Sequence, residues 1–164
     1  MTEKYISIEL TNKEEFPYSV VIKNSLICKI EKEYNQARYF EVGGILLGRI
    51  SLDRKTIFID NAETVKSKKI YSLAYIRNGK KAQKLINYIW RATEGEMNYL
   101  GEWHTHPGIA PIPSFRDRNT IIELTKEKDS NYFSFTILLI MGRNKKMTIT
   151  ISSKKGIIEC IHIH

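Results

Sequence analysis

The chain has 164 residues, 42% hydrophobic and 27% charged, a balance that excludes a disordered protein and allows one substantial core. Its net charge is +8, from 26 basic and 18 acidic residues. No uncharged stretch exceeds Ser130 to Gly142, which is too short to span a bilayer.

The N-terminal MTEKYISIEL lacks the apolar run of a signal peptide, so a cytoplasmic protein without a membrane segment is expected. Residues 5–9 (YISIE) alternate and predict a strand, and YSVVI at 18–22 predicts a second. From Asn24 the period changes: Ile22, Leu26, Ile30 and Tyr34 recur every four residues, with Ile27 beside them. That is one face of a helix reaching about Gln36, with Asn24 or Ser25 as its cap. VGGILLGRI then reads as a buried strand, and KTIFIDNAE as its partner across SLDRK. The segment 66–79 (KSKKIYSLAYIRNG) has no clean period and is expected to be a mobile, substrate-facing loop.

Residues 80–93 (KKAQKLINYIWRAT) predict a second amphipathic helix through Ala82, Leu85, Ile86 and Ile89, with Gly95 at its stop. MNYLGEWHTH returns to strand, and a helix starting near Ser114 runs through Ile121, Ile122 and Leu124. YFSFTILLIM, KMTITIS and GIIECIHI follow as strands, the last two as a hairpin across SKKG. Strands and helices mix without strict alternation. The expected fold class is therefore α/β or α+β, a single domain over 1–164 with a mixed sheet flanked by helices.

Cys28 and Cys160 are the two cysteines, far apart in sequence, and are expected to be reduced, buried small hydrophobes. The basic residues gather in KSKK (66–69), RNKK (143–146) and SSKK (152–155), which read as solvated turns. The positive charge suits nucleic acid or a partner with an acidic face. GGILLG lacks both G-x-G-x-x-G and a terminal G-K-[ST], so it is neither a dinucleotide fingerprint nor a P-loop.

The chemistry concentrates in EWHTHPGIAPIPSFRD, residues 102–117. Along a strand the side-chain period is two, so His104 and His106 share a face, their Cα atoms about 6.6 Å apart. Pro107 ends the strand because it has no amide proton to give. The loop GIAPIP brings the chain round to Ser114 and Asp117, on the first turn of a helix. A carboxylate there is a natural third ligand, although Ser114 and Asp117 also read as an ordinary helix start. Two nitrogens and one oxygen without a thiolate suit a tetrahedral zinc with one open position, the arrangement of a catalytic site. HIH at 162–164 reads as plain strand residues. A hydrolytic zinc needs a general base, and two carboxylates compete: Glu102, two residues before His104, and Glu41, which opens EVGGILLG. Gly43 and Gly44 behind Glu41 let backbones approach closely. Spacing does not choose between the two glutamates.

These residues resemble the JAMM family, the zinc metalloproteases of the MPN domain. The family pattern is an upstream glutamate, then H-x-H-P, six residues and S-x-x-D. The chain matches at His104, His106, Pro107, Ser114 and Asp117, and EVGGILLG matches the glutamate segment, which selects Glu41 over Glu102. The resemblance implies a layered, cytidine-deaminase-like arrangement of sheet and helices. It also implies one zinc ion (Zn2+) per chain held by His104, His106 and Asp117. Glu41 would handle the proton of the attacking water, and Ser114 would hydrogen-bond the tetrahedral intermediate. The implied reaction is hydrolysis of the amide at the C-terminal glycine of ubiquitin or a ubiquitin-like protein, often an isopeptide to lysine.

Asp117 runs straight into RNTIIELTKEK, without the insertion common in eukaryotic deubiquitinating members, and GEWHTHP is more similar to the prokaryotic branch. That branch includes deconjugases of cyclic-oligonucleotide antiphage defence operons. Their substrate resembles a nucleotidyltransferase conjugated through its own C-terminus. Other members trim small sulfur-carrier tails, the alternative expectation here. The expected partner is thus the C-terminal tail of a ubiquitin-like protein or of a conjugated nucleotidyltransferase, with no specific nucleic acid. A non-catalytic MPN scaffold is disfavoured because every motif position is retained. A nucleic-acid-associated domain is disfavoured because no helix-hairpin-helix segment accompanies the motif.

Overall fold

Apolar side chains on both sides of the predicted strands require cover on both faces of a sheet, and the helices supply it. A computed structural model describes residues 4–66, 75–128 and 133–163. In chain order they form β1 Tyr5–Ile8, β2 Ser19–Lys23, α1 Asn24–Ala37, β3 Gly43–Ile50, β4 Thr56–Thr64 and α2 Gly79–Ala92. Next come β5 Asn98–Thr105, α3 Phe115–Glu127, β6 Phe135–Met141, β7 Met147–Ser153 and β8 Gly156–Ile163. Among the described residues the strands make one mixed sheet in the order β1-β2-β4-β3-β5-β6-β7-β8. The pairs β2–β4 and β5–β6 are parallel; the others are antiparallel. This is the expected mixed sheet with flanking helices.

On one face, Leu46, Ile57, Ile59, Ile137 and Leu139 pack with Leu26, Ile27 and Ile30 of α1. On the other, Ile45 and Leu47 meet Ala82, Leu85, Ile86 and Ile89 of α2, while Leu138 and Ile140 meet Ile121 of α3. Each such side chain contributes about 1.5–3 kcal/mol when fully buried. Packing therefore outweighs capping in holding α1, whose N-cap makes no side-chain hydrogen bond. That cap is Lys23, not Asn24 or Ser25 as expected. The Asn24 amide is already committed to the Lys4 carbonyl at 2.9 Å, so the helix starts directly from the end of β2.

The two cysteines are free, as expected, but exposed instead of buried. Cys28 falls between the inward-facing Ile27 and Ile30 of α1, and Cys160 lies on the edge strand β8.

The alternation along β5 decides where the site lies. Trp103 turns into the α1 face, whereas Glu102 and His104 stand opposite Leu138 and Ile140 on the α3 face. Because β6 runs parallel to β5, α3 carries the chain back across that face, and its N-terminus lies at the C-terminal end of β5. The carboxyl end of a parallel strand beside a helix N-terminus is where open α/β sheets place their ligands.

Candidate metal centre

His104 is the next-to-last residue of β5 and His106 the first beyond it. Their side chains share one side, as the period of two requires, with ring centroids 5.0 Å apart and Nε2 atoms 3.1 Å apart. His106 stays fixed past the strand end because its amide donates to the Met141 carbonyl at 2.7 Å. The proline loop is anchored in turn: Gly108 takes a φ of 75°, and the Arg143 amide donates to the Ile109 carbonyl at 2.6 Å. This brings the Ala110 carbonyl to 3.2 Å from His106 Nδ1. A carbonyl can only accept, so Nδ1 carries the proton and Nε2 keeps its lone pair toward the site.

The start of α3 supplies the third donor. Ser114 Oγ accepts the Asp117 amide at 3.1 Å, and Asp117 Oδ2 accepts the Ser114 amide at 2.7 Å, a reciprocal capping box. Asp117 Oδ1 lies 3.5 Å from His104 Nε2, and Oδ2 lies 3.8 Å from His106 Nε2. Burial works to raise the Asp117 carboxyl, but the hydrogen bond and charge of His104, backed by the Ser114 hydroxyl and amide, hold it well below the usual carboxylate range. One donor atom from each of His104, His106 and Asp117 lies within 4.8 Å of the others, a grouping that can hold a metal ion. The capping role does not compete with this, since Asp117 keeps Oδ1 toward His104.

Glu41 lies between α1 and β3, and the backbone behind it is joined to the strand that carries the histidines. The Thr105 amide donates to the Val42 carbonyl at 2.9 Å, and the Val42 amide donates to Thr105 Oγ1 at 3.1 Å. The close approach expected at Gly43 and Gly44 is present: a Cβ on Gly43 would fall 2.8 Å from His104 Cβ and 2.9 Å from the Tyr75 ring. Glu41 Oε1 comes to 3.9 Å from His106 Nε2, while Oε2 accepts the Tyr75 amide at 2.6 Å.

Glu102 is used differently. Its Oε1 accepts the Tyr99 hydroxyl at 2.6 Å and lies 2.8 Å from Arg77 Nε, with the residue only 5% exposed. Burial raises its pKa by more than Arg77 and Tyr99 lower it. Of the two carboxylates left open by spacing, Glu41 turns an oxygen toward the histidines and Glu102 turns toward its own partners.

Three residues at or behind the site were not singled out from sequence: Tyr75, Arg77 and Tyr99. Tyr75 stacks on His104 with centroids 6.4 Å apart, and its hydroxyl donates to the Val65 carbonyl at 3.0 Å. Tyr75, Arg77, Glu102, His104, Arg116 and Asp117 line a cavity of about 210 Å³. The expected mobile loop 66–79 is described only at its ends; residues 67–74 lie outside the described residues. Tyr99 stands three residues before Glu102, which in a regular strand means opposite faces. A bulge brings the two together, for Leu46 pairs with Gly101 and Leu47 with Tyr99, leaving Leu100 as the extra residue. His162 of HIH sits in β8, 3.1 Å from Thr148 Oγ1, as a strand residue; His164 is outside the described residues.

A mixed α/β sheet with two imidazoles and a carboxylate gathered at the end of a parallel strand defines a class: an α/β domain with a three-donor group that can hold a metal ion. More narrowly, the chain belongs to the prokaryotic homologs of the JAB domain, whose family model matches residues 25–152. It is 28% identical over 137 residues to a protein of Enterobacter hormaechei subsp. hoffmannii named CD-NTase/cGAS isopeptidase, covering 83% of this chain and 74% of that one. A Pseudomonas aeruginosa protein of the same name is 35% identical over 106 residues, covering 63% and 64%. In fold, the chain is similar to the solution structure of a protein from Desulfitobacterium hafniense, with a TM-score of 0.62 and 18% identity over 84% of this chain and 87% of that one.

Proposed function

We propose that this chain is a zinc-dependent isopeptidase, a single domain over 1–164. It hydrolyses the amide after the C-terminal residue of a ubiquitin-like tail, that of a conjugated nucleotidyltransferase foremost. The observation that carries the reading is the convergence of His104, His106 and Asp117 within 4.8 Å, with Glu41 Oε1 3.9 Å from His106 Nε2. The donor set fits zinc: two imidazole nitrogens, one tautomer held by Ala110, and a carboxylate, three protein donors with a fourth position to spare. When bound, a zinc ion supplies a Lewis acid that acidifies water and polarises a carbonyl.

The chain's own residues do the rest. Glu41 Oε1 takes the proton of the attacking water and returns it to the leaving amine as the C–N bond breaks. The Ser114 hydroxyl, its oxygen already accepting the Asp117 amide, donates a hydrogen bond to the developing oxyanion. Tyr75 against His104 and the loop 107–113 wall the donors from bulk water.

A protein substrate is supported by exposed apolar groups from three segments around the donors: Tyr39, Ile109, Ile112 and Phe115. The names of the relatives support the nucleotidyltransferase tail, and with it a place in antiphage defence. We take the site of action to be the cytoplasm; among the described residues no helix is long and apolar enough to cross a membrane.

The test is metal content of the purified chain together with cleavage of a fusion bearing a peptide after a ubiquitin-like C-terminal glycine, for wild type and Glu41→Ala. About one zinc per chain in both, with cleavage by wild type alone, is expected. A wild-type chain without zinc, never exposed to chelator, overturns the reading.

A further inference from the structure

Glu41 can serve a water near His106 only if its carboxylate is held with Oε1 forward, and the group that holds it is a backbone amide, Tyr75 N–H, at 2.6 Å from Oε2. That amide belongs to a stretch outside both helix and strand, so something else must fix it. Two attachments do so. Upstream, the Tyr75 hydroxyl reaches the Val65 carbonyl and the ring lies in the space that Gly43 leaves beside His104. Downstream, Arg77 reaches 2.8 Å to Glu102, which is buried in the sheet face and also held by the Tyr99 hydroxyl at 2.6 Å. Tyr99 itself packs with Ile45 and Leu47 under α2. A chain of contacts thus runs from the apolar layer through Tyr99, Glu102 and Arg77 to the amide on Glu41.

We propose that Arg77, paired with Glu102, is a positioning residue that holds the Tyr75 amide against Glu41 and so aims the base at the metal centre. The ion pair does not touch the reacting atoms. It costs burial of two charges, and breaking it from one side leaves Glu102 buried without its cation. The inference rests on the proposed role of Glu41 as base.

Zinc-loaded chains are compared as wild type, Glu41→Gln, Arg77→Met, Arg77→Lys and the double variant Arg77→Met/Glu102→Leu, which removes the charges together. Cleavage of the ubiquitin-like fusion is read alongside hydrogen exchange of the Tyr75 amide, with β6 amides as the internal measure of folding. Arg77→Met and the double variant are expected to lose kcat by about 10- to 100-fold with KM and zinc content unchanged. Their Tyr75 amide exchanges faster while β6 stays protected, and Arg77→Lys recovers most of both. Wild-type kcat in Arg77→Met, or a Tyr75 amide as protected as in wild type, overturns the inference. If Glu41→Gln cleaves like wild type, the role of Glu41 as base fails instead, and the Arg77 contribution to its aim fails with it.

Discussion

At the C-terminal end of β5, one donor atom from each of His104, His106 and Asp117 lies within 4.8 Å of the others; two residues back on the same face, Glu102 turns toward Tyr99 and Arg77. Both groups are polar and mostly buried, and both interrupt an apolar sheet face. They differ in what their atoms are committed to. Around Glu102 a hydroxyl and a guanidinium meet Oε1 of the buried carboxylate, as burial of a charge demands, while Oε2 has no hydrogen-bond partner among the described residues. Among the three donor residues, His106 Nδ1 is held by the Ala110 carbonyl and Asp117 Oδ2 by the Ser114 amide, while the two Nε2 atoms lie 3.1 Å apart. These bonds aim the near atoms at one another. The Glu102 cluster closes one carboxylate oxygen on its own partners, whereas the other group brings three donors within reach of a single ion.

That contrast breaks most sharply at the three proposed metal donors. His104→Ala or Asp117→Ala is expected to lose stoichiometric zinc and cleavage together, read by metal analysis and turnover on the same preparation. Stoichiometric zinc in either variant removes that residue from the donor set. Next come the two glutamates. Glu41→Gln is expected to keep zinc and lose turnover by about 100- to 10,000-fold. Glu102→Gln loses less, because it disturbs support and not the proton path, and the reverse order of effects would make Glu102 the base.

Ser114→Ala separates capping from chemistry: about 3 kcal/mol of transition-state stabilisation is at stake against about 1 kcal/mol for the cap. Turnover should therefore fall by about 100-fold with only a modest drop in melting temperature. Equal losses in both would leave Ser114 as a cap alone.

The smallest effect tests the supporting region. Burial pushes the Lys128 amine down to about 7, against the opposing charge of Glu102. Its ammonium lies 4.9 Å from the Tyr99 ring and donates to the Phe135 carbonyl. Between that value and the ordinary 10.5 the unfolded chain holds a proton that the folded chain lacks, so stability rises with pH across this window and is lowest below about pH 7. Lys128→Met should flatten that rise, seen as denaturation midpoints that differ less between pH 6 and pH 9 than in wild type. An unchanged slope would show that Lys128 is solvated and stands outside the supporting cluster.

Most of this molecule was legible in its sequence where the information is local. Period two along GEWHTH put both histidines on one side, Ser114 with Asp117 marked a helix start, and a period near four outlined α1 and α2. Each rests on steric rules acting within a few residues, which a linear reading captures. The same rules faltered at Cys28, where neighbouring Ile27 and Ile30 took the inward positions, and at the α1 cap, where a strand bond claimed the Asn24 amide.

Spacing left open which glutamate turns toward the histidines, and only the family resemblance selected Glu41; the contacts that turn it there are tertiary, between segments with no local relation in the chain. The ladder between β3 and β5 brings Glu41 beside His106, and Tyr75 docks on a glycine that only close backbone packing explains. The bulge at Leu100 turns Tyr99 onto the side of Glu102. A bulge is a property of two strands in register, and register is set by which side chains the whole core can bury.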